Sequence, residues 1–280
     1  MNGGLDARFT VVAFHAHPDD EALMTGGLLA RCSRAGHRVV LVTATDGELG
    51  LAGDDDGAGP ELAARRAREL DDAASALGCS RVVRLGYPDS GLQPVPDDRD
   101  CFAHRDVDEV AHVLAKVLVA ERADVVTSYD ENGGYGHPDH VQVHHVAARA
   151  AELAGTPVVL EATVPGALFT WVLALLARFG HQLGTSAPLG STGLFARGDT
   201  ITHRVRVGRV AASKRAALAA HASQRRGGGR RRLVDHLATL PVPLFALVLG
   251  REWYVERGRP APSRIDDVFA SLRTSVGARS

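Results

Sequence analysis

Two related tetrapeptides carry the residues of this chain that are best suited to chemistry. One is His17-Pro18-Asp19-Asp20 and the other is His137-Pro138-Asp139-His140. Each is predicted to follow a β-strand and to open a helix, because proline is favoured at the first helical position. Imidazoles and carboxylates at one-turn spacing, on two separate strand ends, are the donors of a catalytic zinc site. We therefore expect a hydrolytic metal centre.

The two motifs supply every role that metal-assisted hydrolysis needs. His17, Asp20 and His140 can reach one ion and leave a position for water, whose pKa bound zinc lowers to about 7. Asp19 is the candidate general base. His137 can stabilise the oxyanion or protonate the leaving amine.

Two neighbouring residues extend the predicted site. Asp139 can hold His137 or His140 in one tautomer through a hydrogen bond. Tyr135 lies in a glycine-rich stretch, 133–136, that should let its side chain swing toward a substrate carbonyl.

The hydrophobic pattern predicts the elements that position these motifs. Five short apolar runs are typical of buried parallel strands, and they cover Phe9 to Phe14, Arg38 to Ala44, Arg81 to Leu85, Asp124 to Ser128 and Pro157 to Leu160. The helices predicted between them cover Asp19 to Ala35, Glu61 to Leu77, Asp106 to Glu121 and Pro138 to Leu153. This alternation favours an α/β fold with an open, mainly parallel sheet.

The strand order decides whether the two motifs meet. Ligands of open α/β sheets bind beyond the carboxyl ends of the strands, where the order reverses. In the order 3-2-1-4-5, strands one and four are neighbours at that reversal, although the sequence leaves other orders open.

The last third of the chain is less regular. Its pattern predicts an edge strand over Ile201 to Val207, a helix over Val210 to Ala222, a basic loop over 225–232 and a final strand over Arg251 to Glu256. Its apolar runs, including residues 165–180, are expected to be core or subunit interface.

Composition narrows the class of protein. The chain of 280 residues is 45% hydrophobic and 23% charged, which is typical of a soluble globular protein. Its formal charge of −1 gives no bias toward nucleic acid or membrane lipid. Three cysteines without a CxxC pair argue against a disulfide framework or a thiolate zinc site. We expect a cytoplasmic protein without a signal peptide or membrane insertion, and homo-oligomerisation stays open.

At these motifs the chain resembles the PIG-L/LmbE-like family of metal-dependent N-acetylglucosamine deacetylases. That family includes mycothiol- and bacillithiol-pathway enzymes and antibiotic-tailoring deacetylases. The matching stretches are AHPDDE at 16–21, TDGE at 45–48 and GHPDH at 136–140. Weaker matches are RxxE at 66–69, DSG at 89–91 and KxxAxxAHxSQ at 214–224.

The resemblance implies a Rossmann-like fold with helices on both faces of the sheet. It implies one zinc ion per chain on His17, Asp20 and His140, with Asp19 as base and His137 as acid or oxyanion stabiliser, and other divalent metals stay open. It further suggests that the residues contacting sugar hydroxyls are Arg66 and Asp89. We expect a single domain over 1–280, with a core at about 8–165 and a C-terminal region at about 166–280 that completes the pocket.

The predicted function is a zinc-dependent hydrolase that removes the N-acetyl group from an N-acetylglucosamine-type amino sugar or its conjugate. One alternative is an amidase that cleaves a larger acyl group from an amino-sugar conjugate. Another is a non-catalytic sugar- or nucleotide-binding protein, although no GxGxxG follows the first strand. A phosphoesterase is disfavoured by the single-metal triad.

Some of these residues also fit plainer roles. Asp19 and Asp20 could simply cap a helix. His144 lies four residues after His140, a ligand spacing on a helix face, and could bind the metal in its place. Three further residues are expected near the site or in the core, namely His15, Asp46 and Glu48.

Overall fold

The structure is a computed structural model that describes residues 7–50, 59–166, 198–227, 230–231, 233–261 and 265–277. Two of the sequence-based expectations fall partly outside these residues. They concern most of the apolar segment 165–180 and part of the basic loop 225–232.

The five predicted parallel strands are all present. They are β1 (Thr10–His15), β2 (Arg38–Thr45), β3 (Arg81–Tyr87), β4 (Val125–Tyr129) and β5 (Val158–Thr163). Strands β1, β4 and β5 are buried along almost their whole length, as expected of central strands covered by helices on both faces. Each ends one to three residues later than its apolar run predicts, because polar residues at the strand ends still pair within the sheet.

The strand order places the carboxyl ends of β1 and β4 side by side. Within the described residues the main sheet has the order β3-β2-β1-β4-β5-β9-β6, where β6 (His203–Arg206) and β9 (Arg251–Glu256) come from the last third of the chain. Strands β1 to β5 are parallel, and β9 and β6 add two antiparallel pairings. The predicted order 3-2-1-4-5 is confirmed, and so is the edge strand β6.

Helices cover both faces of this sheet. On the N-terminal half they are α1 (Asp20–Met24), α2 (Gly26–Arg34), α3 (Pro60–Leu77), α4 (Val107–Glu121), the single turn α5 (Gly133–Gly136) and α6 (Pro138–Ala154). One hydrophobic core lies between the sheet and α2, α3 and the C-terminal helices. A second lies between the sheet and α4 and α6. The Rossmann-like architecture is confirmed.

One predicted helix is two helices. The pattern over Asp19 to Ala35 predicts a continuous helix, whereas the structure breaks it at Thr25, which has φ −130°. The Thr25 hydroxyl lies 2.8 Å from His15 Nε2 and donates to the Glu21 carbonyl at 3.4 Å. A polar group that bonds the preceding turn competes with the helix, and Gly26 follows at once.

The helices of the last third pack on the same face as α2 and α3. They are α7 (Ala211–Ala220), α8 (Ala222–Arg225), α9 (Leu233–Thr239), α10 (Val242–Leu249) and α11 (Ala270–Gly277). The expected loop at 225–232 contains two paired two-residue strands, β7 (Arg226–Gly227) and β8 (Arg230–Arg231). No helix among the described residues is both long and apolar enough to cross a bilayer.

A buried carboxylate ties β9 to the start of α2. Glu252 accepts hydrogen bonds from the Gly27 and Leu28 amides at 2.7 and 2.8 Å, which satisfies two free donors of the helix N-terminus. Lys214 Nζ and the Tyr254 hydroxyl donate to the same carboxylate at 2.6 and 2.7 Å. The C-terminal third is thereby anchored beside the first HPD motif.

Candidate metal centre and active site

The two HPD motifs meet at the reversal of strand order. The pairing of Ala13 with Thr127 aligns β1 and β4, so the loops that follow the two strands emerge together. The first loop carries His17 into α1. The second runs through α5 to His137, which is the N-cap of α6.

His17, Asp20 and His140 form a compact group of possible metal ligands. The Asp20 Oδ2 atom lies 3.3 Å from both His17 Nδ1 and His140 Nε2. His140 Nδ1 faces the Gly133 carbonyl at 3.2 Å, so this nitrogen carries the proton and Nε2 presents a lone pair. That Nε2 is buried without a hydrogen-bond partner among the described residues. A buried, unprotonated nitrogen aimed at a carboxylate fits a metal ligand.

The charges of this group also fit a cation. Burial opposes ionisation, yet His140 and His17 hold the pKa of Asp20 well below its usual range. Burial likewise opposes charging of His17, but Asp139, Asp20 and Asp89 raise its pKa well above the usual value. Carboxylates that favour a proton on His17 favour a divalent ion at the same place.

A second group shares His17 and lies on the other side of its ring. His17 Nε2 is 3.0 Å from Asp139 Oδ2 and 3.4 Å from Asp89 Oδ1, and His137 completes the group. Asp139 Oδ1 also accepts a 2.5 Å hydrogen bond from the Ser90 hydroxyl. A carboxylate on the distal nitrogen of a metal-binding histidine orients that ring, so we assign this group to support of the first.

The histidine that the Asp139 carboxylate contacts differs from the expected one. Sequence reasoning places this carboxylate on His137 or His140, in its own motif. In the structure it lies 3.0 Å from His17 Nε2 in the other motif. The second HPD motif thus contacts the histidine of the first.

Asp19 is the N-cap residue of α1, next to the predicted ligand Asp20, but its side chain does not cap the helix. Its backbone is left-handed, with φ 108°, and its side chain makes no capping hydrogen bond. Burial raises the pKa of Asp19 to about 6, an effect that Arg66 opposes and Asp20 strengthens. Its carboxylate is 29% exposed and lies 3.5 Å from Arg66 Nη2. The group is accessible and has a pKa suited to taking a proton near neutral pH.

His137 is oriented by its own helix. Its Nδ1 accepts a 3.2 Å hydrogen bond from the Asp139 amide, which leaves Nε2 to carry the proton. Burial lowers the pKa of His137 to about 4, and His17 and His140 contribute to this shift. His137 is therefore a neutral hydrogen-bond donor at neutral pH.

Tyr135 lies at the mouth of the site. It is 40% exposed, and its ring centroid is 5.0 Å from that of His140 and 6.0 Å from that of His137. Gly133 and Gly134 both have positive φ, and a Cβ on Gly133 would lie 2.7 Å from the Val141 amide nitrogen. The turn that presents Tyr135 therefore requires glycine.

The two predicted sugar contacts lie close to the ligands. Arg66 is 2% exposed and donates to the Pro18 carbonyl at 2.5 Å and to the Gly47 carbonyl. Asp89 is 6% exposed and accepts from the Gly91 amide at 2.8 Å. Arg66 therefore holds the loop of the first motif through backbone carbonyls, and the Asp89 carboxylate lies 3.4 Å from His17 Nε2.

Sequence reasoning missed several supporting residues. The Tyr129 ring stacks on His140 at 4.1 Å and 4°, and its hydroxyl lies 3.1 Å from the core residue His15. Ser90 was signalled only by the DSG stretch. The alternative ligand His144 points away, with Nδ1 3.2 Å from the Tyr129 carbonyl.

Comparison with known proteins agrees with this geometry. The family model described as PIG-L: GlcNAc-PI de-N-acetylase matches residues 12–151, half of the chain. A protein of Nocardiopsis dassonvillei named 1D-myo-inositol 2-acetamido-2-deoxy-alpha-D-glucopyranoside deacetylase is 37% identical over 293 residues, covering 92% of this chain and 99% of that protein. A Thermobifida fusca protein of the same name is 42% identical over 167 residues, covering 54% of this chain and 57% of that protein.

The fold is shared with solved deacetylases. N,N'-diacetylchitobiose deacetylase from Pyrococcus horikoshii matches with a TM-score of 0.60 and 21% identity, covering 91% of this chain and 86% of that chain. At this identity the likeness concerns the fold alone. The sequence matches are what establish descent, and they confirm the family that the two HPD motifs indicate. The chain belongs to the PIG-L family of de-N-acetylases, which are amide hydrolases.

Proposed function

We propose that this protein is a zinc-dependent hydrolase that removes the acetyl group from an N-acetylglucosamine-type amino sugar or its conjugate. The observation that carries the proposal is the convergence of His17, Asp20 and His140, with the unpartnered His140 Nε2 among them and Asp19 alongside. The first substrate to try is the N-acetylglucosaminyl-inositol for which the two relatives are named.

The three ligand residues would hold the ion, and the remaining residues would act on protons. When bound, the ion supplies Lewis-acid activation of water and of the amide carbonyl. Asp19 accepts the proton of the attacking water. His137 donates its Nε2 hydrogen to the developing oxyanion, and the Tyr135 hydroxyl adds a second donor. Protonated Asp19 then delivers its proton to the leaving amine.

Two supporting proposals complete the site. Asp139 orients His17, and Asp89 together with Arg66 lines the side where the sugar binds. Zinc is favoured by two imidazoles and one carboxylate, a donor set that iron and other divalent ions also accept. We also propose a single domain over 1–280, which is supported by β9 and β6 extending the same sheet as β1 to β5.

The decisive experiment measures release of free amine from a panel of N-acetylglucosaminides. The panel includes the inositol conjugate and an acyl-cysteinyl glucosaminide. Turnover is measured on the purified protein, after chelation, and after zinc is restored, with Asp19→Asn as control for contaminating activity. Deacetylation that is lost with the chelator and regained with zinc supports the proposal. Turnover of the acyl-cysteinyl member alone would make the protein an amidase of larger acyl groups. Bound metal without any turnover would refute this substrate class.

A further inference from the structure

The backbone of Asp19 is held in an unfavourable conformation by a side chain two residues away. A non-glycine residue at φ 108° is strained, so the surrounding structure must hold it in place. The Asp19 amide donates to Glu21 Oε2 at 3.0 Å. Through this bond the Glu21 side chain holds the backbone amide of Asp19.

Glu21 is in turn held by a residue 200 positions further along the chain. Its Oε1 lies 2.6 Å from His221 Nε2, and both side chains are fully buried. A carboxylate only accepts hydrogen bonds, so His221 is the donor. Without that donor the buried carboxylate would keep, of these two hydrogen bonds, only the one to the Asp19 amide, and an under-satisfied buried carboxylate is costly, so the orientation of Glu21 depends on His221. The other ring nitrogen of His221, Nδ1, is buried without a hydrogen-bond partner within the described part of the chain.

The segment that carries His221 also provides a matched structural contact. Ser223 donates to Glu69 from its amide at 2.9 Å and from its hydroxyl at 2.6 Å. This pair anchors α8 to α3 with equally buried groups, yet it has no bond to Asp19. A variant of Ser223 therefore tests the anchoring of this segment alone, whereas a variant of His221 also tests an effect transmitted through Glu21.

We propose that His221 is a positioning residue for the general base, acting through Glu21 on the backbone of Asp19. The inference rests on the proposed role of Asp19. The KxxAxxAHxSQ stretch at 214–224 then has a role in the mechanism, because its histidine, His221, connects the C-terminal third to the first HPD motif. Arg66 also bonds this loop, through the Pro18 carbonyl at 2.5 Å.

The experiment compares His221→Ala, His221→Gln and Ser223→Ala in the zinc-loaded protein, using the N-acetylglucosaminyl-inositol substrate. We expect His221→Ala to lower kcat by about 10- to 100-fold, the range typical of residues that orient a site, with KM and zinc content unchanged. The glutamine amide still donates to Glu21, so His221→Gln should keep kcat within about threefold of the original. Ser223→Ala should lower the unfolding temperature without lowering kcat. If the alanine protein does not accumulate, His221→Asn replaces it, because its shorter amide does not reach Glu21.

A double variant tests whether the effect of His221 passes through Asp19. In Asp19→Asn, His221→Ala should lower kcat little further, because residues acting as a unit are not additive. Equal losses from His221→Ala in both backgrounds would overturn the inference and leave the base assignment intact. Loss of zinc or an equal kcat loss in His221→Gln would also overturn it. Full activity of Asp19→Asn would overturn both the base assignment and this inference.

Discussion

At the scale of single residues, side chains of the same type have different properties in the site because their surroundings differ. Asp19 and Asp20 are adjacent carboxylates, yet burial raises the pKa of the first to about 6 while His140 and His17 hold that of the second well below its usual range. The lowered pKa suits a ligand and the raised pKa suits a base. The two histidines differ in a similar way. His140 has an unpartnered Nε2 that suits a ligand, whereas the Nε2 of His137 carries the proton and suits a hydrogen-bond donor.

We expect Asp19→Asn to lower kcat by about 10²- to 10⁴-fold, the usual contribution of a general base. Asparagine tolerates positive φ, so the loop should keep its shape. Metal content measured by elemental analysis should stay at one ion per chain. The exposed carboxylate of Asp72 provides the control, and Asp72→Asn should be fully active. Unchanged turnover of Asp19→Asn at full metal content would remove Asp19 from the mechanism.

The choice between two histidines one helical turn apart is tested by metal binding. His140→Ala removes a ligand and should weaken zinc binding by more than about 100-fold, beyond the usual effect of an orienting residue. His144→Ala should retain stoichiometric zinc, because its Nδ1 faces the Tyr129 carbonyl. Both affinities can be measured by competition with a chromogenic chelator. The reverse order of the two affinities would make His144 the ligand.

At the scale of elements, the break between α1 and α2 is what shapes the first motif. A continuous helix would carry Thr25 and Gly26 past the site, whereas the break lets Thr25 bond His15 and lets α2 start against Val207. Glu252 then satisfies the free amides of α2. The short α1 therefore presents Asp20 and Glu21, while α2 contributes more residues to the core, namely Leu28, Leu29, Ala30 and Cys32.

The contact between α2 and Val207 leaves no space for a side chain at Gly27. A Cβ at this position would lie 2.5 Å from Val207 Cβ. We expect Gly27→Ala to lower the free energy of unfolding by about 1–3 kcal/mol, although alanine has the higher helix propensity. Urea unfolding measures the effect, and Val207→Ala should recover part of it.

Gly208→Ala is the matched control, because a Cβ there meets nothing within 4 Å. It should change stability by less than about 0.5 kcal/mol, as surface substitutions usually do. Equal losses at both positions would mean that α2 does not pack against Val207 in this way.

At the scale of the whole molecule, the last third of the chain contacts and supports the elements of the first third. Strand β9 pairs with β5, the Lys214–Glu252 pair fastens the start of α2, and His221 reaches Glu21. The junction between the parallel and antiparallel parts of the sheet holds a further buried charge. Glu161 on β5 faces Arg257 after β9 at 3.1 Å and His144 on α6 at 3.4 Å.

Glu161 should make global stability depend on pH. Burial raises the pKa of Glu161 to about 7, against the opposing effect of Arg257, while Asp130 and Glu131 strengthen it. A raised folded-state pKa stabilises the protonated form, so this contribution is complete below pH 4.5 and is lost as pH rises to about 7. At 1.36 kcal/mol per pKa unit the loss is at most about 3 kcal/mol.

We expect Glu161→Gln to be about as stable as the original protein at pH 4 and to be more stable than the original protein at pH 8. Urea unfolding at both values measures the difference, and metal binding affects both proteins alike. The exposed Glu152 is the control, and Glu152→Gln should shift stability equally at the two pH values. A Glu161→Gln protein that is less stable at pH 8 would show that the ion pair with Arg257 outweighs burial.

The family, the sheet and the convergence of His17, Asp20 and His140 could be predicted from the sequence. The apolar runs and the Pro-led helix starts are local signals, and a strand order of 3-2-1-4-5 then brings His17 and His140 to one place. Local patterns carry this information because side-chain periodicity and helix starts depend on neighbours in the chain.

Only the tertiary structure decided how those residues are supported. It paired Asp139 with His17 across the two motifs, broke the first helix at Thr25 and connected His221 to Glu21. Such contacts join residues 122 and 200 positions apart. They follow from the packing of side chains once the sheet has formed, and neither residue type nor spacing in one sequence specifies them.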